Sequence, residues 1–186
     1  MPPEPMTVDD LWALPRVGAP VPLPDGGACI VPVTTYDVAA NAGTTRLWRV
    51  DAAGDGAPRA LTGADVSASQ PSVSPDGARL AFVRKPGGKT KPAKAGAPPT
   101  GRAAGPARFA EVDQLYVMPL DGGEPARLTD LPLGAATPVW FPDGRRIAVV
   151  VPVYGDTPTP AGTAERHAAR EDDAVKAYVT EDRVYR

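Results

Sequence analysis

Serine and histidine side chains are the first residues to test for catalysis in this chain. The serines are Ser67, Ser69, Ser72 and Ser74, and the one histidine is His167. A serine nucleophile needs a base and an orienting acid, and many hydrolases present it in a Gly-x-Ser-x-Gly turn. No serine here stands in such a turn, and His167 falls in a segment that is typical of a surface helix. We therefore predict that this chain holds no catalytic residue.

The residue types in this sequence also give little indication of a metal site or a cofactor site. One histidine and one cysteine, Cys29, cannot form a typical zinc site. The acidic residues 171–173 are typical of a solvated helix face. Residues 51–56 lack the alternating oxygen ligands of a calcium loop. Cys29 lies in an apolar strand, where it is predicted to be a small core residue. We predict no bound metal and no cofactor.

Charge and hydropathy narrow the classes of partner. The formal net charge is −2, and 42% of the residues are hydrophobic. The basic tract at 84–108 has no aromatic residues for base stacking, so no nucleic-acid partner is expected. No apolar run reaches the length of a membrane helix, and residues 1–10 lack the features of a signal peptide. We expect no membrane partner and a cytoplasmic location.

A short phrase, Pro-Asp-Gly followed by a run of apolar residues, recurs in the chain. It stands at Pro75-Asp76-Gly77 and Pro142-Asp143-Gly144, with a weaker copy at Pro24-Asp25-Gly26. Proline presets the backbone for the second position of a turn, and glycine supplies a left-handed residue after it. These nine residues are predicted to form structural turns between strands.

The phrase belongs to a longer repeat. The clear turns are offset by 67 residues, and so are two Leu-Thr pairs at 61–62 and 128–129. Two markers that share one offset indicate a repeated unit. The unit boundaries follow from these markers: blade one at 17–62, blade two at 63–129, and the start of blade three at 130–154. Residues 84–108, rich in Pro, Gly and Lys, are predicted to form a disordered loop within blade two.

The apolar runs that follow the turns indicate the architecture. Residues 80–83 and 147–151 are apolar at every position, which is typical of strands covered on both faces. Four-stranded sheets that stack face against face meet this demand in a β-propeller. The predicted fold is all-β, a partial, open propeller of about two and a half four-stranded blades. The tryptophans at 12, 48 and 140 are predicted to be core residues.

The two ends carry weaker signals. Residues 1–16 are predicted to be an arm with a short helix, capped by Thr7 and Asp10, whose packing side includes Leu11, Trp12 and Leu14. Residues 155–186 are predicted to be a charged tail. In it Thr163 precedes a marginal helix over 164–176, and residues 178–186 begin a further strand.

Residues 139–148, together with 115–124 and the second Leu-Thr pair, resemble the TolB-type propeller repeat. More narrowly, the chain resembles the N-terminal propeller of the prolyl oligopeptidase family of serine peptidases, on its acylaminoacyl-peptidase and dipeptidyl-peptidase side. The opening 7–18 and the closing 179–186 are similar to the corresponding segments of that family. The chain departs from the pattern at Phe141, where the repeat usually has serine, and at Leu23.

The resemblance implies a role in proteolysis. In that family a C-terminal α/β-hydrolase domain carries the serine, aspartate and histidine, and the propeller restricts substrates to short peptides. None of those positions exists here, so the expectation is a fragment covering the first blades, inactive alone, whose partners would be the hydrolase domain and short peptides. The alternative is a small TolB-like binding or assembly module that completes its propeller by oligomerising through its exposed blade edges.

Overall fold

The computed structural model describes residues 6–54, 56–86 and 111–172, and the chain divides into two compact units, Met1–Pro152 and Val153–Arg186. The described part of the first unit contains one helix and eleven strands. These elements are α1 (Val8–Ala13), β1 (Arg16–Val17), β2 (Val21–Pro22), β3 (Ala28–Asp37), β4 (Ala42–Asp51), β5 (Arg59–Ala60), β6 (Ala68–Val73), β7 (Arg79–Arg84), β8 (Gln114–Pro119), β9 (Ala126–Arg127), β10 (Ala136–Trp140) and β11 (Ile147–Val150).

The strands form three antiparallel sheets in chain order. In the first sheet β3, β4 and β5 follow one another, while β1 and β2 pair in succession with the free side of β3. The second sheet has the order β6-β7-β8-β9, and β10 and β11 form the third. Sheets of neighbouring strands in strict sequence order are the units of a propeller. The predicted all-β, partial and open propeller is confirmed.

The second sheet is buried on both faces. Leu80, Ala81, Phe82 and Val83 of β7 are each at most 1% exposed. Side chains alternate between the faces of a strand, so Leu80 and Phe82 enter one apolar cluster while Ala81 enters the other. The first cluster joins the first and second sheets and contains Leu23, Ala28, Ile30, Leu47, Ala68, Leu80, Phe82, Tyr116, Met118 and Leu120. The second, between the second and third sheets, is built on Ala81, Leu115, Val117 and Ala135, with Trp140 and Ile147 packed against it.

The repeated Leu-Thr pairs close each of the first two sheets. The Thr62 hydroxyl accepts the Leu47 N–H at 3.0 Å, and the Thr129 hydroxyl accepts the Leu115 N–H at 2.9 Å. In return, the Leu61 N–H donates to the Leu47 carbonyl and the Leu128 N–H donates to the Leu115 carbonyl, each at 2.8 Å. The Leu-Thr pair therefore supplies the hydrogen bonds that extend the last strand of each sheet, β5 or β9, beyond its two residues.

The third sheet differs from its prediction. Ile147 and Val149 of β11 are half-buried against the second sheet, but Val150 is 59% exposed and Ala148 is exposed as well. The prediction that this strand is covered on both faces is therefore wrong for the described residues. The physical reason is that no described sheet packs against its outer face.

Helix α1 forms with the predicted cap but without the predicted packing. Thr7 and Asp10 make the reciprocal capping box. The helix has no buried residue, because Leu11, Trp12 and Leu14 are between 44% and 49% exposed. Trp12 makes an edge contact with the Tyr36 ring at 5.7 Å. Local capping thus fixes the helix, while its apolar side stays uncovered.

The prediction of a core role for all three tryptophans is only partly correct. Trp12 is exposed, as described above. Trp48 is half-buried, with the Arg46 guanidinium 5.0 Å from the centre of its ring. Trp140 is half-buried and packs against the second apolar cluster.

The second unit contains the helix α2 (Pro160–Asp172), which begins earlier than predicted. Thr163, predicted to precede the helix, lies inside it. The Thr159 hydroxyl accepts the Gly162 N–H at 3.1 Å, and Pro160 takes the first helical position, where no N–H is needed. The predicted continuation to residue 176 and the predicted strand at 178–186 lie outside the described residues. No described helix is long and apolar enough to cross a membrane.

The remaining domain boundaries stay predictions. Strand β1 begins at Arg16, in the predicted arm, and the other strands lie within the predicted blade ranges. Arg84, placed at the start of the predicted loop, is the last residue of β7 and is buried. Most of that loop, residues 87–108, lies outside the described part of the chain.

The difference between covered and uncovered faces predicts the effect of two substitutions. Phe82→Ala should lower the free energy of unfolding by about 3–5 kcal/mol, because it leaves a cavity between the first two sheets. Val150→Ala should change it by no more than about 0.5 kcal/mol, because that side chain faces solvent. Urea unfolding followed by circular dichroism measures both. Equal losses would contradict the stacked arrangement.

Candidate functional site

The three Pro-Asp-Gly turns adopt one geometry. The glycines Gly26, Gly77 and Gly144 have φ of 71°, 70° and 62°. The N–H of each glycine donates to the carbonyl of the residue that precedes the proline of its turn, at 2.8–3.0 Å. A left-handed residue at this point lets the chain return into an antiparallel strand, and only glycine adopts that conformation without strain. The turns therefore connect β2 to β3, β6 to β7 and β10 to β11.

The aspartate of each turn accepts an N–H from the residue two positions ahead. These distances are 2.9 Å for Asp25, 3.1 Å for Asp76 and 2.9 Å for Asp143. At Asp76 the buried Ser74 hydroxyl donates a further hydrogen bond, which is the largest cause of a pKa lowered from the ordinary 3.8. At Asp143 the Arg145 N–H is the largest cause of a lowered pKa. The turn carboxylates thus act as structural acceptors.

The turns of neighbouring sheets lie next to each other. A side chain at Gly77 would lie 3.5 Å from the Pro24 ring, and one at Gly144 would lie 3.9 Å from Pro75 and from the Arg79 guanidinium. Arg79 donates to the Gly144 carbonyl and stacks on the Trp140 ring at 4.7 Å. One arginine therefore ties the second sheet to the third through a hydrogen bond and a cation–π contact.

A second row of contacts lies at the first strands of the sheets. In β6 and β10 two residues stand opposite one on the partner strand, so each strand carries a β-bulge. The bulge residues Gln70 and Thr137 have φ of 53° and 50°, although neither is glycine. The Gln70 amide oxygen accepts the Thr137 N–H, and Trp140 Nε1 donates to the Ser72 carbonyl at 3.0 Å.

These bulges were not predicted, although the sequence carries a signal for them. A proline stands four positions before the proline of every turn, at Pro20, Pro71 and Pro138. Proline lacks the N–H that a regular ladder requires, so it suits a bulge. In the first sheet the corresponding place is the break between β1 and β2. We call Gln70, Thr137 and the adjacent Ser69 the first-strand rim.

The first-strand rim offers hydrogen bonds but no proton transfer at neutral pH. Gln70 and Thr137 are exposed and Ser69 is half-buried, and none of the three side chains is an acid or a base. Strained backbone that neighbouring sheets hold in place occurs often at functional sites. Through its hydrogen-bonding groups, the first-strand rim can bind or exclude a polar polymer chain.

The candidate nucleophiles occupy structural positions. Ser74 is fully buried and bonds Asp76, while the Ser67 hydroxyl accepts the Thr45 N–H at 3.0 Å and so joins the first two sheets. In the second unit, His167 Nδ1 lies 3.3 Å from the Tyr154 hydroxyl. Cys29 is half-buried in β3. Among the described residues no group of three or more metal-ligating side chains forms.

The lowered pKa of Asp76 predicts a pH-dependent contribution to stability. A carboxyl with a lowered folded-state pKa stabilises the fold above its unfolded pKa, and this stabilisation is lost as the pH falls through the folded value. Asp76→Asn should therefore reduce the urea midpoint at neutral pH, and the gap to the unmodified chain should close in acid. Ser74→Ala should have less effect in the Asp76→Asn background than alone. A gap that stays constant with pH would contradict this role.

The contacts of Arg79 predict a local effect on the third sheet. Arg79→Ala should cost about 1.5–3 kcal/mol, the range for hydrogen bonds to charged groups. Arg79→Lys should recover only part of that, because an ammonium group lacks the planar face that stacks on Trp140. Hydrogen exchange should show lost protection in β11 and unchanged protection in β3. An equal loss of protection in β11 and β3 would contradict a local role for Arg79.

Comparison with known proteins relates this arrangement to peptidases. No family model matches the chain. An uncharacterized peptidase of Bacillus subtilis (strain 168), YuxL, is 29% identical over 146 residues, which cover 78% of this chain. The match covers 19% of that relative, so the chain spans about a fifth of its length.

Solved structures show the same fold at low sequence identity. The acylaminoacyl peptidase of Pyrococcus horikoshii superposes with a TM-score of 0.55 at 16% identity, over 80% of this chain and 19% of that one. The AtxE2 isopeptidase superposes with a TM-score of 0.60 at 15% identity, over 94% of this chain and 26% of that one. The resemblance stated from the sequence is thereby confirmed: the chain has the fold of an N-terminal β-propeller of the prolyl oligopeptidase family and covers only part of it.

Proposed function

We propose that this chain is the first part of the propeller of a serine peptidase of the prolyl oligopeptidase family. In this role the propeller restricts access of substrates to an α/β-hydrolase domain on the same polypeptide, so that only short peptides are cleaved. The observation that supports it best is the stack of three repeated sheets in a chain that is similar to peptidases. On this proposal the stacked sheets limit the path that a substrate can take, and another domain carries the catalytic residues.

The polar character of the first strands also supports this role. In a propeller the blades surround a central channel, and we place the first-strand rim at that channel. The exposed Gln70 and Thr137 side chains would then meet a passing peptide without a charge that selects its sequence. Selection by size follows, since the width of the channel depends on how the sheets stack.

On this proposal the chain alone does not hydrolyse peptides. Two observations support that statement. Ser74 is fully buried and Ser67 is engaged in the contact between the first two sheets. The Tyr154 hydroxyl lies beside the ring of His167, and a base that activates serine needs its own bond to the nucleophile.

A graft tests the proposal. The segment of the Bacillus subtilis peptidase that matches this chain is replaced by this chain, and a second variant lacks the segment. Hydrolysis is measured with an acylated aminoacyl p-nitroanilide and with casein. We expect both the parent and the graft to cleave the small substrate and exclude casein, and the deletion variant to lose that discrimination. The chain alone, at equal concentration, should cleave neither.

Two outcomes would contradict the proposal. One is a folded graft that cleaves casein as readily as the deletion variant does, because the chain would then not act as a filter. The other is hydrolysis by the chain alone. Circular dichroism and thermal unfolding establish that the graft is folded before either result is interpreted.

A further inference from the structure

Arg84 is a buried cation at the end of β7. The residue is 6% exposed, and its Nε atom is closed to solvent without a hydrogen-bond partner. An arginine stays charged at every working pH, so burial cannot remove the charge. Among the described residues no carboxylate forms an ion pair with Arg84. A buried charge in this state is unfavourable, and an anion that joins it relieves the cost.

The contacts around Arg84 leave Nε without an acceptor. The guanidinium carbon lies 4.2 Å from the centre of the Tyr116 ring. The face of an aromatic ring attracts a cation, but it has no oxygen lone pair for an N–H donor. Gln114 lies opposite Arg84 on β8, and its amide oxygen accepts the Thr129 hydroxyl and the Leu131 N–H. The nearest neutral acceptor is therefore already engaged.

The chain that follows Arg84 has no carboxylate close to it in sequence. Residues 85–110 contain neither aspartate nor glutamate. Glu111 and Asp113, the first acidic residues after that stretch, are exposed. This composition favours a bound ligand over the adjacent chain as the source of an anion.

Arg84 lies beside the first-strand rim. It pairs with Ala68 across the two strands, and the next pair along is Val83 with the rim residue Ser69. Gln70, the following rim residue, is exposed, and the proposed function puts a passing peptide there. The rim is uncharged, so Arg84 is the cation that an anionic group on such a peptide would meet.

We infer that Arg84 binds the terminal carboxylate of a short peptide. The inference rests on the proposed function for the presence of the peptide, and it adds which part of the peptide is recognised. A guanidinium binds a carboxylate through two parallel N–H···O bonds. Because Nε is closed to solvent, the guanidinium has to turn on the Tyr116 ring before Nε can join such a pair. Every short peptide ends in a carboxylate, so this contact selects for a chain end whatever the sequence.

Calorimetric titration of the full chain tests the inference. The probes are acetyl-trialanine with a free carboxylate and the same peptide as its C-terminal amide. We expect the acid to bind at least about tenfold more tightly, because its hydrogen bonds are charge-assisted. Arg84→Gln should abolish the difference and Arg84→Lys should keep part of it. Arg145→Gln is the matched control, since Arg145 is exposed, and it should keep all of it.

Two further probes separate the sources of the anion. Acetyl-Ala-Glu-Ala amide carries its carboxylate on a side chain, and inorganic phosphate is an anion without a peptide. Both should bind more weakly than the acid, because neither presents a carboxylate at a chain end. If either binds as tightly, the assignment to a peptide terminus is wrong.

Nuclear magnetic resonance tests the contact itself. The Nε–H signal of Arg84, identified by its absence in Arg84→Lys, should shift when the acid is added and stay in place with the amide. An unmoved signal, equal affinity for acid and amide, no binding of the acid, or binding that Arg84→Gln leaves unchanged would overturn the inference.

The two proposals fail in different measurements. The graft reports exclusion of casein, whereas the titration reports binding by this chain alone. Binding of the acid together with a graft that cleaves casein would contradict only the filter role. A selective graft together with a chain that does not bind the acid would contradict only the carboxylate site.

Discussion

The burial of sheets on both faces is the constraint on which this structure depends. In the second sheet, Leu80 and Phe82 send their side chains into one apolar cluster and Ala81 sends its side chain into the other. A sheet of this kind cannot be stable in water by itself. If only one of its faces were covered, the apolar side chains on the other face would remain in contact with water. Its stability therefore depends on both neighbours, and the three sheets form one nearest-neighbour array.

Apolar contact alone does not fix how one sheet is placed on the next, because it has no direction. The polar contacts at the two ends of the strands supply that direction. At one end Arg79 reaches the Gly144 carbonyl, and at the other Gln70 holds the Thr137 N–H. These contacts join residues about one repeat apart. The repeat length in the sequence is therefore also the spacing of the contacts that align the sheets.

The elements that local chemistry determines could be predicted from the sequence. The three Pro-Asp-Gly phrases indicated where strands turn, and the Leu-Thr pairs indicated where each sheet ends. The bulges escaped prediction because their left-handed residues are Gln70 and Thr137, whose side chains give no sign of that conformation. The one signal in the sequence is the proline that follows each of them. Burial escaped prediction in α1 and β11 for another reason. An apolar pattern states that a segment needs cover, whereas only the tertiary structure shows whether a partner provides it.

The candidate site follows from the same physics, and this bears on the kind of function it can have. Its residues are uncharged, and they are held by contacts between sheets rather than by a pocket inside one of them. A rim of this kind cannot move protons at neutral pH, but its width changes whenever two sheets change their angle. Under the proposed filter role, Arg79 and the bulges therefore determine selectivity without touching a substrate. Stability and selectivity then depend on the same residues, so a substitution that loosens the stack should alter both together.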